Sequence, residues 1–191
     1  VKQSDFMGIY IYGNITTWGQ LVGRPEITDA IHVYTRSDSC GAAETWAKYF
    51  GKKQEDLKGT GVYGDPGVAE AVKNDALGIG YNNINYAYDA DTSKPVEGLV
   101  IVPIDLNENG RIDTNEDFYQ TRDKIIEAVA SGAYPSPPAR EENLVTKGKF
   151  TGVVMEFVKW ILNEGQKYAL ETGYIPLTDQ RRAEMLQKLE G

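Results

Sequence analysis

Residues 36–46 read RSDSCGAAETW, an arginine and an aspartate two positions apart followed by a run of very small residues. Upstream, Ile31 and Val33 alternate with polar neighbours in AIHVYTR (30–36), the period-two pattern of a short strand running up to Arg36. Downstream, Ala43, Trp46, Ala47 and Phe50 recur at helical spacing, and Gly51 stands where a C-terminal cap belongs. The stretch is therefore a strand-loop-helix junction, and junctions of this kind build α/β sheets.

Outward from it the alternation continues. FMGIYIYGNITTWGQL (6–21) predicts a short helix and a loop before the strand. A second helix begins at GDPG (64–67), with Asp65 expected as N-cap and Pro66 at the first helical position, and runs towards a strand through Ile79 and Tyr81. The continuous apolar run GLVIVPI (98–104) reads as a buried strand, and DFYQTRDKIIEAVASG (117–132) as a helix closed by Gly132. YPSPPAR (134–140) is too stiff for either element and predicts an extended linker, dividing 1–140 from 141–191. Beyond it come a strand near 143–147 and a helix carrying Val153, Val154, Phe157, Val158 and Ile161 on one face. A short helix ending at Gly173 and a last one near 179–189 follow.

The chain has 191 residues, 41% hydrophobic and 25% charged, the composition of a globular protein. A net charge of −8 argues against nucleic acid, because phosphate-backbone affinity comes from basic patches. One cysteine and one histidine permit neither an internal disulfide nor a four-ligand zinc site. GLVIVPI falls far short of the ~20 residues of a membrane-spanning helix. The sequence starts at Val1 without a charged-then-apolar leader, so any targeting segment is expected to have been removed or to lie outside it.

The chemistry of 36–46 favours an oxyanion. A helix N-terminus presents unpaired N–H groups and partial positive charge, and Gly41, Ala42 and Ala43 let a ligand approach the backbone closely. Arg36 adds a planar fork suited to two oxygens of a tetrahedral anion. Asp38 fits such a site once protons are counted. Phosphate near neutral pH keeps a proton to donate to a carboxylate, whereas sulfate would leave that carboxylate facing it unpaired. The plainer alternative is an ordinary helix start, with Asp38 or Ser39 as N-cap and Arg36 on the surface. Cys40 at a helix N-terminus also admits a reactive thiolate. Cysteine phosphatases, however, place an arginine six residues after the cysteine, and that position is Trp46; Cys40 reads as a small packed residue.

On these residues the chain resembles the phosphate-binding proteins of phosphate ABC importers, of the type II periplasmic binding protein fold. Their Arg-x-acidic-x-Ser-Gly-Thr motif corresponds here to Arg36, Asp38, Cys40, Gly41 and Ala42. GIYIYGNITTWGQL resembles the family's Gly-x-Ile-x-x-Trp segment, ALGIGYNNINYAY its Gly-Ile-Gly-Tyr strand, and ETGYIPLTDQ a segment near its end. Cys40 and Ala42 depart from the motif and remove two hydroxyl donors, while the backbone N–H groups of Gly41 and Ala42 do not depend on side chains. The resemblance implies a non-enzymatic, extracytoplasmic solute-binding protein for phosphate or a similar oxyanion, whose two lobes close on the ligand and dock on an ABC permease. It further implies that 1–140 is most of the second lobe and 141–191 the chain returning to the first, the N-terminal part of the first lobe being absent. The apolar stripe on 151–162 is then expected to pair with that absent segment or with a second copy, or else to leave 141–191 poorly ordered.

DLNENGRIDTNE (105–116) fits the EF-hand loop pattern, with Asp105, Asn107 and Asn109 at positions 1, 3 and 5, Gly110 at 6, Arg111 offering its carbonyl at 7, Asp113 at 9 and Glu116 at 12. A structural calcium ion is expected there, fastening a strand at 99–104 to a helix starting near 117. A polar turn with helix-capping residues is the alternative. A second functional reading follows: a calcium-dependent extracellular interaction module with a decayed oxyanion site.

Overall fold

The structure is a computed structural model that describes residues 1–172 and 174–190. The chain divides into two compact units, Val1–Arg140 and Glu141–Gly191. The first opens with α1 (Gln3–Met7), a π-helical turn (Gly8–Tyr12) and α2 (Trp18–Val22). Thr17 caps α2, its hydroxyl accepting from the Gln20 N–H, and Gly13 adopts the left-handed φ of +66° that the preceding turn requires. Trp18 donates through its indole N–H to the Leu77 carbonyl at 3.2 Å, tying this segment to the sheet.

The sheet follows from the junction pattern. β1 (His32–Arg36) is followed by α3 (Gly41–Tyr49), β2 (Thr60–Val62), α4 (Gly64–Lys73) and β3 (Gly78–Ile79). Among the described residues these strands form one parallel sheet in the order β2-β1-β3, with Arg36 opposite Val62 and Val33 opposite Ile79. The chain leaves β1 to one side and returns to the other, so a topological switch point lies at the C-terminal end of β1, where open α/β sheets bind ligands. The core gathers beneath it around Trp46, which stacks on Tyr81 and meets Phe6, Tyr10 and Phe50 edge-on. α5 (Ile84–Ala87) and α6 (Arg122–Ser131) complete the unit.

Several expectations are corrected. Residues 99–104 form no strand: Pro103 lacks a donor, Val100 is 88% exposed, and the backbone pairs only through an isolated bridge between Lys2 and Asp105. α6 begins at Arg122, not near 117, because Thr121 caps it by accepting from the Lys124 N–H; Gly132 closes it as expected, at φ +79°. Asp65 does not cap α4. The N-cap is Tyr63, and the Asp65 carboxylate, inside the first turn, is drawn to Arg36 instead. Residues 135–139 are a folded turn, not an extended linker, with the Ala139 N–H donating to Pro135 O at 3.1 Å.

In the second unit, 143–147 is exposed and without strand pairing, Val145 being 88% exposed. α7 (Gly152–Leu162), a 3-10 segment (Glu164–Tyr168) and α8 (Asp179–Glu190) follow; the expected helix end at Gly173 lies outside the described residues. α7 buries Val158 and Leu162, while Val153, Val154, Phe157 and Trp160 are exposed on it. Among the described residues no helix is long and apolar enough to cross a membrane.

Candidate functional site

The C-terminal end of β1 brings together residues from several elements. Arg36, the last residue of the strand, turns its guanidinium along the sheet edge, where it is only 7% exposed. Its Nε and Nη2 donate to the two oxygens of Asp38 at 2.8 and 2.5 Å, and its Nη1 donates to Asp65 at 2.5 Å. These charge-assisted bonds, those to Asp38 foremost, raise the Arg36 pKa further above its ordinary value. Arg36 in turn, followed by the N–H of Gly64 at 3.1 Å, holds the Asp38 carboxyl well below the usual carboxylate range. Asp65 is anchored from the far side, its second oxygen accepting from Asn83 Nδ2 and its carbonyl from Asn82 Nδ2. Tyr81 finishes the edge: its hydroxyl pairs with Thr35 Oγ1 at 2.7 Å and accepts from the Arg36 backbone N–H.

Next to this cluster lies the first turn of α3. Cys40 is its N-cap, not the Asp38 or Ser39 of the plainer alternative, and the thiol sulfur accepts from the Ala43 N–H at 3.4 Å. Asp38 cannot serve there because Arg36 and Gly64 hold it. Sulfur is a weak acceptor, so the cap is a soft one. Among the described residues the N–H groups of Gly41 and Ala42 have no hydrogen-bond acceptor, and Gly41 is exposed. Arg140 lies across the same turn, with Nη1 donating to Thr45 Oγ1 at 3.1 Å and Nη2 only 2.7 Å from where a Cβ on Gly41 would stand. The Arg140 guanidinium thus crosses a turn with two open amides, shortly after Arg36 in the chain.

The structure therefore places Arg36, Asp38, Cys40, Gly41 and Ala42 in one neighbourhood and adds Asp65, Asn83 and Arg140. Arg140 could not be read from sequence, since it reaches Thr45 from 95 positions away. Asp65 carried a signal, a carboxylate in a helix first turn, but that signal pointed to capping. A groove of about 430 Å³ between Ile9, Ile31–Tyr34 and Lys58–Thr60 lies towards the other end of β1. Its one lysine already donates to the Tyr12 carbonyl, and it lacks the converging amides and guanidinium groups of the α3 turn.

The loop 105–116 is closed by its own hydrogen bonds. Asp105 accepts from the Asn109 and Gly110 N–H groups, and Glu116 from those of Leu106, Asn107 and Asp113. Asp113 accepts from the side-chain amides of Asn107 and Asn109. Asp105 and Glu116 are each 2% exposed, although both sit in a polar loop. Among the described residues no group of three or more His, Cys, Asp or Glu stands ready to hold a metal ion; the Arg111 side chain points to Asp113 at 3.9 Å.

Residues 1–164 match the family model described as PBP superfamily domain. The chain is also similar to a crystal structure of "a possible phosphate binding protein from Planctomyces limnophilus DSM 3776", at 16% identity and a TM-score of 0.57, over 100% of this chain and 63% of that one. A second is the "Putative Phosphate ABC Transporter Substrate-Binding Protein with Bound Phosphate from Clostridium perfringens", at 20% identity and a TM-score of 0.57, over 93% and 63%. This chain thus spans 63% of the length of both, and the likeness is one of fold. No curated protein matches it.

Proposed function

The chain belongs to the PBP superfamily, and on that premise we propose that it is the oxyanion-binding part of an extracytoplasmic solute-binding protein, non-enzymatic, that delivers phosphate or a similar anion to an ABC permease. The observation that carries this is the α3 turn, where the open N–H groups of Gly41 and Ala42 lie beside Arg140 and follow the loop that leaves Arg36. The phosphate named for the Clostridium perfringens structure agrees with it. The unit 1–140 is the lobe that carries the site, and 141–191 is the segment returning to the other lobe. The apolar face of α7, with Val153 83% and Phe157 58% exposed, is a surface for a first-lobe segment or for a second copy of this chain. Two backbone amides and their neighbouring cations make a shallow anion site, and the α3 turn binds phosphate in the millimolar range, on the order of 10⁻³ M.

The test is an NMR titration of the ¹⁵N-labelled chain with phosphate. Saturable shifts of the Gly41 and Ala42 amides support the proposal; no shift up to tens of millimolar, at constant ionic strength, sinks it. Asp38 uses one oxygen twice and the other once, which leaves about one lone-pair direction for a proton carried by phosphate. Replacing it with asparagine shifts the preference towards sulfate in competition titrations.

Calcium belongs to the same proposal as a structural ion in 105–116, held by Asp105, Asn107, Asn109, the Arg111 carbonyl, Asp113 and Glu116. Its support is the near-complete burial of Asp105 and Glu116 in a loop of matching spacing. The alternative of a calcium-dependent interaction module finds no support in the family or in the two similar structures.

A further inference from the structure

The Arg36 guanidinium faces two carboxylates at once. Asp38 takes the Nε–Nη2 edge in a bidentate pair, and Asp65 takes Nη1. One positive charge against two negative charges leaves this cluster at −1, which repels an oxyanion at the place where the sequence puts its arginine. Asp65 is not a chance neighbour. It is 19% exposed, its first oxygen is on Arg36, its second is on Asn83, and its backbone carbonyl is fixed by Asn82.

We propose that Asp65 is an internal competitor for the anion: its carboxylate holds the Nη1 donor of Arg36 that an oxyanion would use, and it sets the affinity of the site. The inference rests on the oxyanion reading above and adds a residue and a direction to it. The fork carries five N–H groups, of which these bonds use three, so an anion competes with Asp65 for the Nη1 side of the fork while Asp38 keeps the Nε–Nη2 edge and holds the guanidinium plane in place. Asp65 stays beside the site as a charge after it yields Nη1, so discrimination among anions comes from how much each gains beyond the planar carboxylate it replaces. A tetrahedral anion gains over a carboxylate because its further oxygens reach the Gly41 and Ala42 amides.

The experiment compares the unchanged 191-residue chain with Asp65→Asn, using inorganic phosphate as the probe and ¹⁵N titration as the readout. Asparagine keeps an acceptor for Arg36 and removes the competing charge, so phosphate binds about tenfold tighter or better. Equal or weaker binding by the variant, with binding by the unchanged chain intact, overturns the competitor and leaves the oxyanion function standing. No phosphate binding by either chain overturns both. A second measurement needs no variant: the ¹³C carboxyl resonance of Asp65 moves when phosphate saturates the unchanged chain. A resonance that stays in place at saturation means that Asp65 is never displaced, and the proposal fails.

Discussion

Replacing Gly41 with alanine separates folding from binding. An ideal Cβ there lies 2.7 Å from Arg140 Nη2, 3.0 Å from its Cζ and 3.3 Å from its Nε. Unstrained contacts begin near 3.5 Å, so the guanidinium must retreat by roughly 1 Å. It is the far end of an exposed, flexible side chain, and the retreat gives up its bond to Thr45, about 0.5–1.5 kcal/mol. Against this, alanine in place of glycine in a helix gains up to about 1 kcal/mol. The two nearly cancel, and since about 1 kcal/mol moves the melting temperature of a chain this size by roughly 2–4 °C, the melt barely shifts. Binding responds differently. The methyl group crowds the open amides and pushes Arg140 aside, costing at least one charge-assisted bond of about 1.5–3 kcal/mol, or roughly tenfold to a hundredfold in Kd. Thermal melts by circular dichroism and phosphate titration of the same samples give both numbers. Unchanged phosphate affinity with an unchanged melt would refute the placement of the anion at this turn, and a drop of more than about 8 °C would refute the claim that Gly41 is spared for the ligand and not for the fold.

Gly19→Ala behaves in the opposite way: its Cβ would stand 2.0 Å from the Ile27 carbonyl oxygen and 2.4 Å from that of Arg24, backbone that cannot rotate away. A loss of about 3 kcal/mol or more is expected in urea unfolding, and a loss under about 1 kcal/mol counts against this packing. Asp38 has a depressed carboxyl pKa in the folded chain. Its stabilisation is therefore complete above the unfolded value near 4 and is lost as pH falls through the folded value. Asp38→Asn should show a smaller fall in melting temperature from pH 5 to pH 2 than the unchanged chain; parallel falls exclude the Arg36 pair as a source of acid sensitivity. Asp105→Ala strips the Asn109 and Gly110 N–H groups of their acceptor and should lower the melting temperature even in chelator, but by more in millimolar calcium, where the ion is lost as well. Equal melting of the unchanged chain with and without calcium removes the ion from the loop.

The alternation around 36–46 was legible in the sequence because it depends on local periodicity: a strand up to Arg36, a helix around Trp46 that ends before Gly51 and a second helix at 64 form where pattern puts them, while the strand at Ile79 stops short of the Tyr81 that the pattern included. The small residues whose amides face outward were legible as well, since the absence of a side chain is a property of the residue itself. Periodicity failed where a segment needed a distant partner. The run 99–104 is apolar enough for a strand but has Pro103 and almost no backbone to pair with. What only the tertiary structure decided is the traffic of charge at the site. Sequence places Asp65 as a cap, yet the β2-β1-β3 order carries the start of α4 beside the end of β1, and the nearest guanidinium outbids the helix's own N–H groups. Arg140 crosses the α3 turn in the same way, from a position that no local pattern connects to Gly41. Secondary structure is set by neighbours a few residues apart, whereas the partners of a charged side chain are set by whichever opposite charge the folded chain brings within about 3 Å.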